Sequence, residues 1–283
     1  MNSVVVTGAS SGIGWGTIKV LTERGFHVFG SVRKPEDGER LSIQFGNKFT
    51  PLLFDVTDEE AVNQAANRVR EQMNGHTLCG LVNNSGIAVL GPLMHLNIAD
   101  YRTQMEVNLI APLIVTQAFL PLLGTDCSLE GKPGRIINIS SVGGKIAIPF
   151  IGAYNASKFG LEGFSESLRR ELMLYGIDVI VVAPGAVATA IWDKAQASDI
   201  SQYENTDYGT AMKSFKSYFI EQGRKGYPPE RVGEVIWKAL TVANPRARYP
   251  VVPNHLSGWI IPRMLPKRML DKIIAKNLNF LSR

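Results

Sequence analysis

The sequence predicts an α/β fold, a doubly wound Rossmann-type parallel sheet with helices on both faces. Three observations predict it. Short runs rich in Val, Ile and Leu alternate with helix-length amphipathic stretches over residues 4–183. Those runs are apolar almost throughout, as strands are when a parallel sheet is covered on both faces. A glycine-rich turn sits between the first run and the first amphipathic stretch.

Taken in order, residues 4–7 form the first predicted strand, followed by a helical pattern near 13–24. Residues 28–32 and 51–54 give the second and third strands, and a helix over 58–73 leads to a fourth strand at 78–83. A long helical pattern at 101–123 precedes a strand at 135–140, and another at 153–175 precedes one at 179–183. Parallel neighbours joined in this way need right-handed crossovers. After Pro184 the texture changes: residues 190–226 are polar and aromatic, with Trp192, Tyr203, Tyr208, Phe215 and Phe219. Pro228-Pro229-Glu230 restarts a helix, proline suiting a first turn. With no repeat, low-complexity segment or linker, residues 1–283 read as one domain, with an insert at 190–226 and a tail at 255–283.

Composition narrows the class. Apolar residues make up 45% of the chain and charged residues 19%, which suits a large core and argues against disorder. Cys79 and Cys127 are far apart and in no metal-ligand spacing, so neither a disulfide framework nor a bound metal is expected, and a reducing, cytoplasmic setting is. Met1-Asn2-Ser3 runs straight into the first strand, so no signal peptide is expected. No apolar run approaches the roughly 18 residues of a membrane span. The net charge of +5 resides in the tail, where Arg263, Lys267, Arg268, Lys272, Lys276 and Arg283 stand against Asp271. The neutral remainder is unsuited to nucleic acid, whose binding rests on many phosphate contacts.

Two groups of residues carry chemistry. Thr7-Gly8-Ala9-Ser10-Ser11-Gly12-Ile13-Gly14 places glycines where a backbone must approach a pyrophosphate, at the amino terminus of the first helix. The second strand ends in Gly30-Ser31-Val32-Arg33-Lys34, with no acid to take a ribose 2′-hydroxyl. Arg33 suits a 2′-phosphate instead, so NADP is favoured over NAD. In the second group, Tyr154 and Lys158 are i, i+4 neighbours at the start of a helical pattern. An ammonium beside a phenol favours the phenolate and would lower a pKa that is otherwise near 10. Ser141 ends the strand thirteen residues upstream, Asn83-Asn84-Ser85-Gly86 ends another, and Asn108 lies mid-helix, where a buried amide needs a partner.

These motifs, in this order over residues 3–189, closely resemble the short-chain dehydrogenase/reductase family. The matching residues are Thr7 to Gly14, Asp55-Val56, Asn83 to Gly86, Asn108, Ser141, Tyr154, Lys158 and Pro184-Gly185-Ala186-Val187-Ala188-Thr189. The resemblance implies about seven parallel strands and a set of roles. Tyr154 would exchange the proton of the carbonyl or alcohol, and Ser141 would hold that oxygen. Lys158 would bind the nicotinamide ribose and lower the tyrosine's pKa, and Asn108 would anchor a relay water. Asp55 would face the adenine, Pro184 to Thr189 would flank the nicotinamide, and residues 190–226 would form a lid over the substrate. Ser85 departs from the family's usual alanine. The resemblance also implies a homodimer or homotetramer, paired through the helices carrying Asn108 and Tyr154.

The aromatic lid suggests a large apolar substrate. In the tail, Met269, Leu270, Ile273 and Ile274 share one helical arc, with Lys267, Arg268, Lys272 and Lys276 largely opposite. Such a helix either buries its stripe on its own protein or a partner subunit, or touches an anionic membrane from the cytoplasmic side. Length and tail are more loosely similar to the retinol and hydroxysteroid dehydrogenase branch. The leading expectation is therefore an NADP-dependent carbonyl reductase or alcohol dehydrogenase of lipophilic compounds such as steroids or retinoids. A 3-oxoacyl-thioester reductase and a non-catalytic NADP-binding sensor or scaffold are the alternatives.

Overall fold

The computed structural model describes residues 2–278; Met1 and residues 279–283, with the end of the predicted tail and Arg283, lie outside the described residues. The strands are β1 (Ser3–Val6), β2 (His27–Val32), β3 (Phe49–Leu53), β4 (Gly80–Asn83), β5 (Arg135–Ile139), β6 (Asp178–Pro184) and β7 (Arg248–Val251). They form one sheet in the order β3-β2-β1-β4-β5-β6-β7. Every pairing is parallel, with Val4 of β1 set between Val28 of β2 and Gly80 of β4.

The helices between the strands are α1 (Gly12–Glu23), α2 (Pro35–Phe45), α3 (Glu59–Met73), α4 (Ile98–Met105), α5 (Ala111–Phe119) and α6 (Gly152–Glu171). After β6 come α7 (Ile191–Ala197), α8 (Gly209–Arg224) and α9 (Pro229–Thr241), and after β7 come α10 (Ile261–Met264) and α11 (Lys267–Asn277). The twofold period of the strands divides the core. Val5, Leu81, Ile136 and Val179 join Val62 of α3 and Val115 of α5 on one face. Val4, Val82, Ile137 and Ile180 join Ile18 of α1, Leu41 of α2 and Ile236 of α9 on the other.

Helices α1 and α9 approach closely because glycines face each other: a Cβ on Gly16 would lie 2.6 Å from the Pro229 carbonyl carbon. Among the described residues one helical run, Ile98–Leu123, is long and apolar enough to cross a membrane by length and composition. Its Val115, Phe119 and Leu122 are packed into the core, and its Gln104 and Asn108 are buried.

Helices α7, α8 and α10 were not separately expected within the insert and tail, and two elements of the main fold escaped the sequence reading. Helix α2 has little apolar surface, but its Pro35 stands in the first turn with Glu36 and Asp37, a start signal that was there to be read. Strand β7 is only four residues long, half-buried and interrupted by Pro250, which an edge strand tolerates and a central one does not.

Candidate active site

The strand order reverses between β1 and β4, and an open α/β sheet forms its crevice at such a point, beyond the carboxyl ends of the strands. The turn after β1 needs its glycines. Gly8 and Gly12 have φ of 69° and 58°, and a Cβ on Gly14 would fall 2.0 Å from the Gly8 carbonyl oxygen. The first turn of α1 holds no acidic residue and Ser11 makes no side-chain cap, which leaves its N–H groups to meet an anion. Asn84 clasps the loop from β4: its Nδ2 donates to the carbonyls of Thr7 and Gly8 at 2.8 and 3.2 Å. The N–H groups of Asn84 and Ser85 both donate to Thr7 Oγ1.

At the end of β2 the Arg33 guanidinium lies 3.7 Å from the Asp55 carboxylate and is mostly exposed. Burial pushes the Asp55 carboxyl up, but hydrogen bonds from Thr57, together with Arg33, hold it below its ordinary value. Ser10, Ser11, Arg33, Asp55, Val56 and the loop glycines Gly8 and Gly12 line a polar cavity of about 310 Å³. Glycines, helix N–H groups and one outward guanidinium fit a dinucleotide bearing a 2′-phosphate.

A second cavity of about 450 Å³ adjoins it, sharing Ile13, Asn84, Gly86 and Thr189 as walls. Tyr154 and Lys158, on the first turns of α6, meet Ser141 there. Ser141 Oγ accepts the Gly143 N–H at 3.0 Å and hydrogen-bonds the Tyr154 phenol. Lys158 Nζ donates to the Ile139 carbonyl at 2.8 Å and stands 5.7 Å from the centre of the Tyr154 ring. Burial brings Lys158 down to about 8, with Glu162 opposing. Burial also pushes the Tyr154 phenol up, against the Ser141 hydrogen bond. The expected depression of Tyr154 by Lys158 is therefore not produced by the protein's own groups. Both side chains share one site, and the Lys158 ammonium donates to the Ile139 carbonyl rather than to the phenol.

Asn108 sits in a π-helical turn, Glu106–Ile110, between α4 and α5. Such turns, common at functional sites, offset the helix by one residue. Here the turn carries the Asn108 amide to the loop after β4. Its Oδ1 accepts the Ile87 N–H at 2.9 Å, and its Nδ2 donates to the Ile87 carbonyl and to Ser157 Oγ at 3.0 and 3.1 Å. The side chain is committed to joining that loop to α6.

The second cavity is mostly apolar: beside the polar Asn155 and Gln222, its walls hold Ile87, Leu90, Ile146, Ile148, Trp192 and Phe219. Helices α7 and α8, from the predicted lid segment, supply the last two. Gly223 makes room for Trp192, whose ring would lie 2.2 Å from a Cβ there. Phe150, just before α6, has φ of 67°, a conformation that costs a bulky residue about 1–3 kcal/mol. Ring contacts to Tyr208 and Phe215, at 6.0 and 5.3 Å, hold it in place.

A family model described as short chain dehydrogenase matches residues 2–199. The chain belongs to the short-chain dehydrogenase family. It is 40% identical over 283 residues, 100% of this chain and 99% of the relative, to the NADPH-dependent 3-dehydrocapnine reductase of Ornithobacterium rhinotracheale. It is 33% identical to retinol dehydrogenase 5 of Homo sapiens, over 96% of this chain and 87% of that one. A solved short-chain dehydrogenase from Streptomyces avermitilis shares the fold, with a TM-score of 0.74 at 24% identity over 99% of this chain and 96% of the other. As a short-chain dehydrogenase, the protein is an oxidoreductase working between CH–OH and C=O groups.

Within this short-chain dehydrogenase most of the predicted residues come together. Ser85 lies on the polar cavity, Pro184, Gly185 and Val187 on the apolar one, and Gly86 and Thr189 on both. Asn83 does not face either cavity. Its Nδ2 donates to Thr116 Oγ1 and Asn138 Oδ1 inside the core, and Asn84 takes the wall position. Successive residues at a strand end point opposite ways, which accounts for the exchange.

The dehydrogenase also holds a buried cluster that sequence reasoning missed. Glu162, one turn beyond Lys158, pairs with Arg248 of β7 and lies 3.8 Å from Lys145 Nζ. The guanidiniums of Arg248 and Arg263 both lie over the Trp259 ring, each 4.5 Å from its centre. A glutamate on the buried face of α6 was the available signal, since such a charge needs a partner.

Proposed function

We propose that this short-chain dehydrogenase interconverts a lipophilic ketone and its secondary alcohol with NADP(H), steroids and retinoids exemplifying the class. The observation that carries the reading is the meeting of Tyr154, Ser141 and Lys158 where the polar cavity behind the glycine loop joins an apolar one. Among the described residues, Lys158 is the one charged side chain lining the apolar cavity, which favours a neutral substrate over an ionic one. Arg33, and the NADPH dependence in the name of the relative from Ornithobacterium rhinotracheale, support NADP. When bound, the nicotinamide supplies or accepts the hydride. Tyr154 gives its proton to the carbonyl oxygen, and the Ser141 hydroxyl holds that oxygen in line. Lys158, as an ammonium, would hold the nicotinamide ribose beside Tyr154, and Asn108 keeps α6 in register with the loop at Ile87. Apolar walls exclude water and orient the carbon skeleton.

NADPH and NADH oxidation against apolar ketones, steroids, retinal and acyl thioesters tests the reading. Turnover of apolar ketones with NADPH supports it, and turnover confined to acyl thioesters overturns it. Arg33→Ala is expected to raise the KM for NADPH about tenfold to a hundredfold, the worth of a charged hydrogen bond, while leaving NADH nearly unchanged. Equal losses would remove Arg33 from the 2′-phosphate. Because Lys158 titrates near 8, it is an ammonium below that pH and neutral above it. The logarithm of kcat/KM for reduction is therefore expected to be flat on the acid side. It should bend downward near pH 8 with a slope of about −1. Lys158→Arg, which stays charged, should remove the bend; a profile with no bend in the native enzyme would contradict the role.

A further inference from the structure

We infer that the face formed by α10 and α11 docks on an anionic lipid surface, with the substrate cavity opening beside it. No residue of either helix is fully buried. Leu270 and Ile274 are half-covered, but Ile261, Met264, Met269 and Ile273 are 45%, 79%, 52% and 41% exposed. The expectation that the apolar stripe is buried on the chain's own body is therefore only half met. The same two helices carry Arg263, Lys267, Arg268, Lys272 and Lys276, against Asp271 alone. Exposed apolar side chains on helices with this excess of cations match the boundary between acyl chains and anionic headgroups. The same charge disfavours a second copy as occupant, since a self-paired interface would bring two basic faces together.

Position adds the second half of the inference. Gly258 and Pro262, at the start of the tail, line the apolar cavity that holds Tyr154. The tail is fixed there: Trp259 is buried under Arg248 and Arg263, and Leu278 packs on the lid cluster of Phe150, Tyr203 and Phe215. A bilayer under α10 thus lies beside the cavity's edge, and a lipophilic substrate passes from it to Tyr154 without crossing water. The route, though not the docking, rests on the proposed lipophilic substrate.

The test is flotation of the full chain with phosphatidylcholine vesicles, with and without phosphatidylserine. Binding is expected only with phosphatidylserine, weakening as salt rises. The triple variant Lys267→Glu, Arg268→Glu, Lys272→Glu should lose at least about tenfold in vesicle affinity while keeping its melting temperature and its turnover of a short, water-soluble ketone. Failure of the native chain to float, equal flotation of the triple variant, or a dimer broken by Met264→Asp would overturn the docking. Flotation without faster turnover of a long-chain ketone held in the same vesicles would leave the docking standing and overturn the route.

Discussion

Replacing Tyr154 by phenylalanine is expected to lower kcat about 10³-fold, within the range a positioned proton donor contributes, while NADPH still binds with its native Kd. The ring remains to fill the wall between Ser141 and Lys158, and only the exchangeable proton is lost. Cofactor titration by fluorescence, beside steady-state rates on one good ketone, separates the two quantities. Residual turnover above about a tenth of the native rate would move the proton transfer to another group. A parallel loss of NADPH affinity would instead mean that the phenol was holding the site's shape. Ser141→Ala should fall the same way by a smaller factor, since the substrate oxygen keeps the tyrosine.

The largest stability effect should come from Arg248→Ala. Glu162 is buried to 3% exposure and depends on Arg248 as its close partner, Lys145 standing farther off at 3.8 Å. Removing one member of a buried pair leaves an uncompensated charge and costs about 3–5 kcal/mol. The truncation also takes a guanidinium from the Trp259 ring. For a chain of this size that loss lowers Tm by about 10 °C, read by differential scanning calorimetry. Removing both charges, as Glu162→Gln with Arg248→Met, should recover most of the loss, because no orphaned ion remains. If the double variant is as unstable as the single, packing around Trp259 rather than charge is what holds the tail.

Much of this could be read from residues alone because local rules agreed with the global fold. The strands of the sheet interior announced themselves as apolar runs, and the loop from Thr7 to Gly14 could be placed because glycine spacing, strand and helix start coincided. Tyr154, Lys158 and Ser141 were legible by order and spacing. What escaped was set by contacts distant in sequence. Strand β7 pairs along β6 only after more than sixty intervening residues, and its Pro250 argues locally against a strand. The Glu162–Arg248 pair spans 86 positions, and nothing near either residue reports the other. Asn83 and Asn84 could not be told apart, because a one-residue shift at a strand end exchanges core for crevice. The direction of the Tyr154 shift was missed for a related reason: it depends on how dry the site is.

The late position of Arg248 in the chain also has a consequence for synthesis. Everything that lines the polar cavity is made by residue 198, whereas the clamp on α6 and the edge of the apolar cavity wait for residues 248–262. Ribosomes add about 5–20 residues per second, so about 3 to 13 seconds separate synthesis of the last residue lining the polar cavity from that of the last residue lining the apolar one.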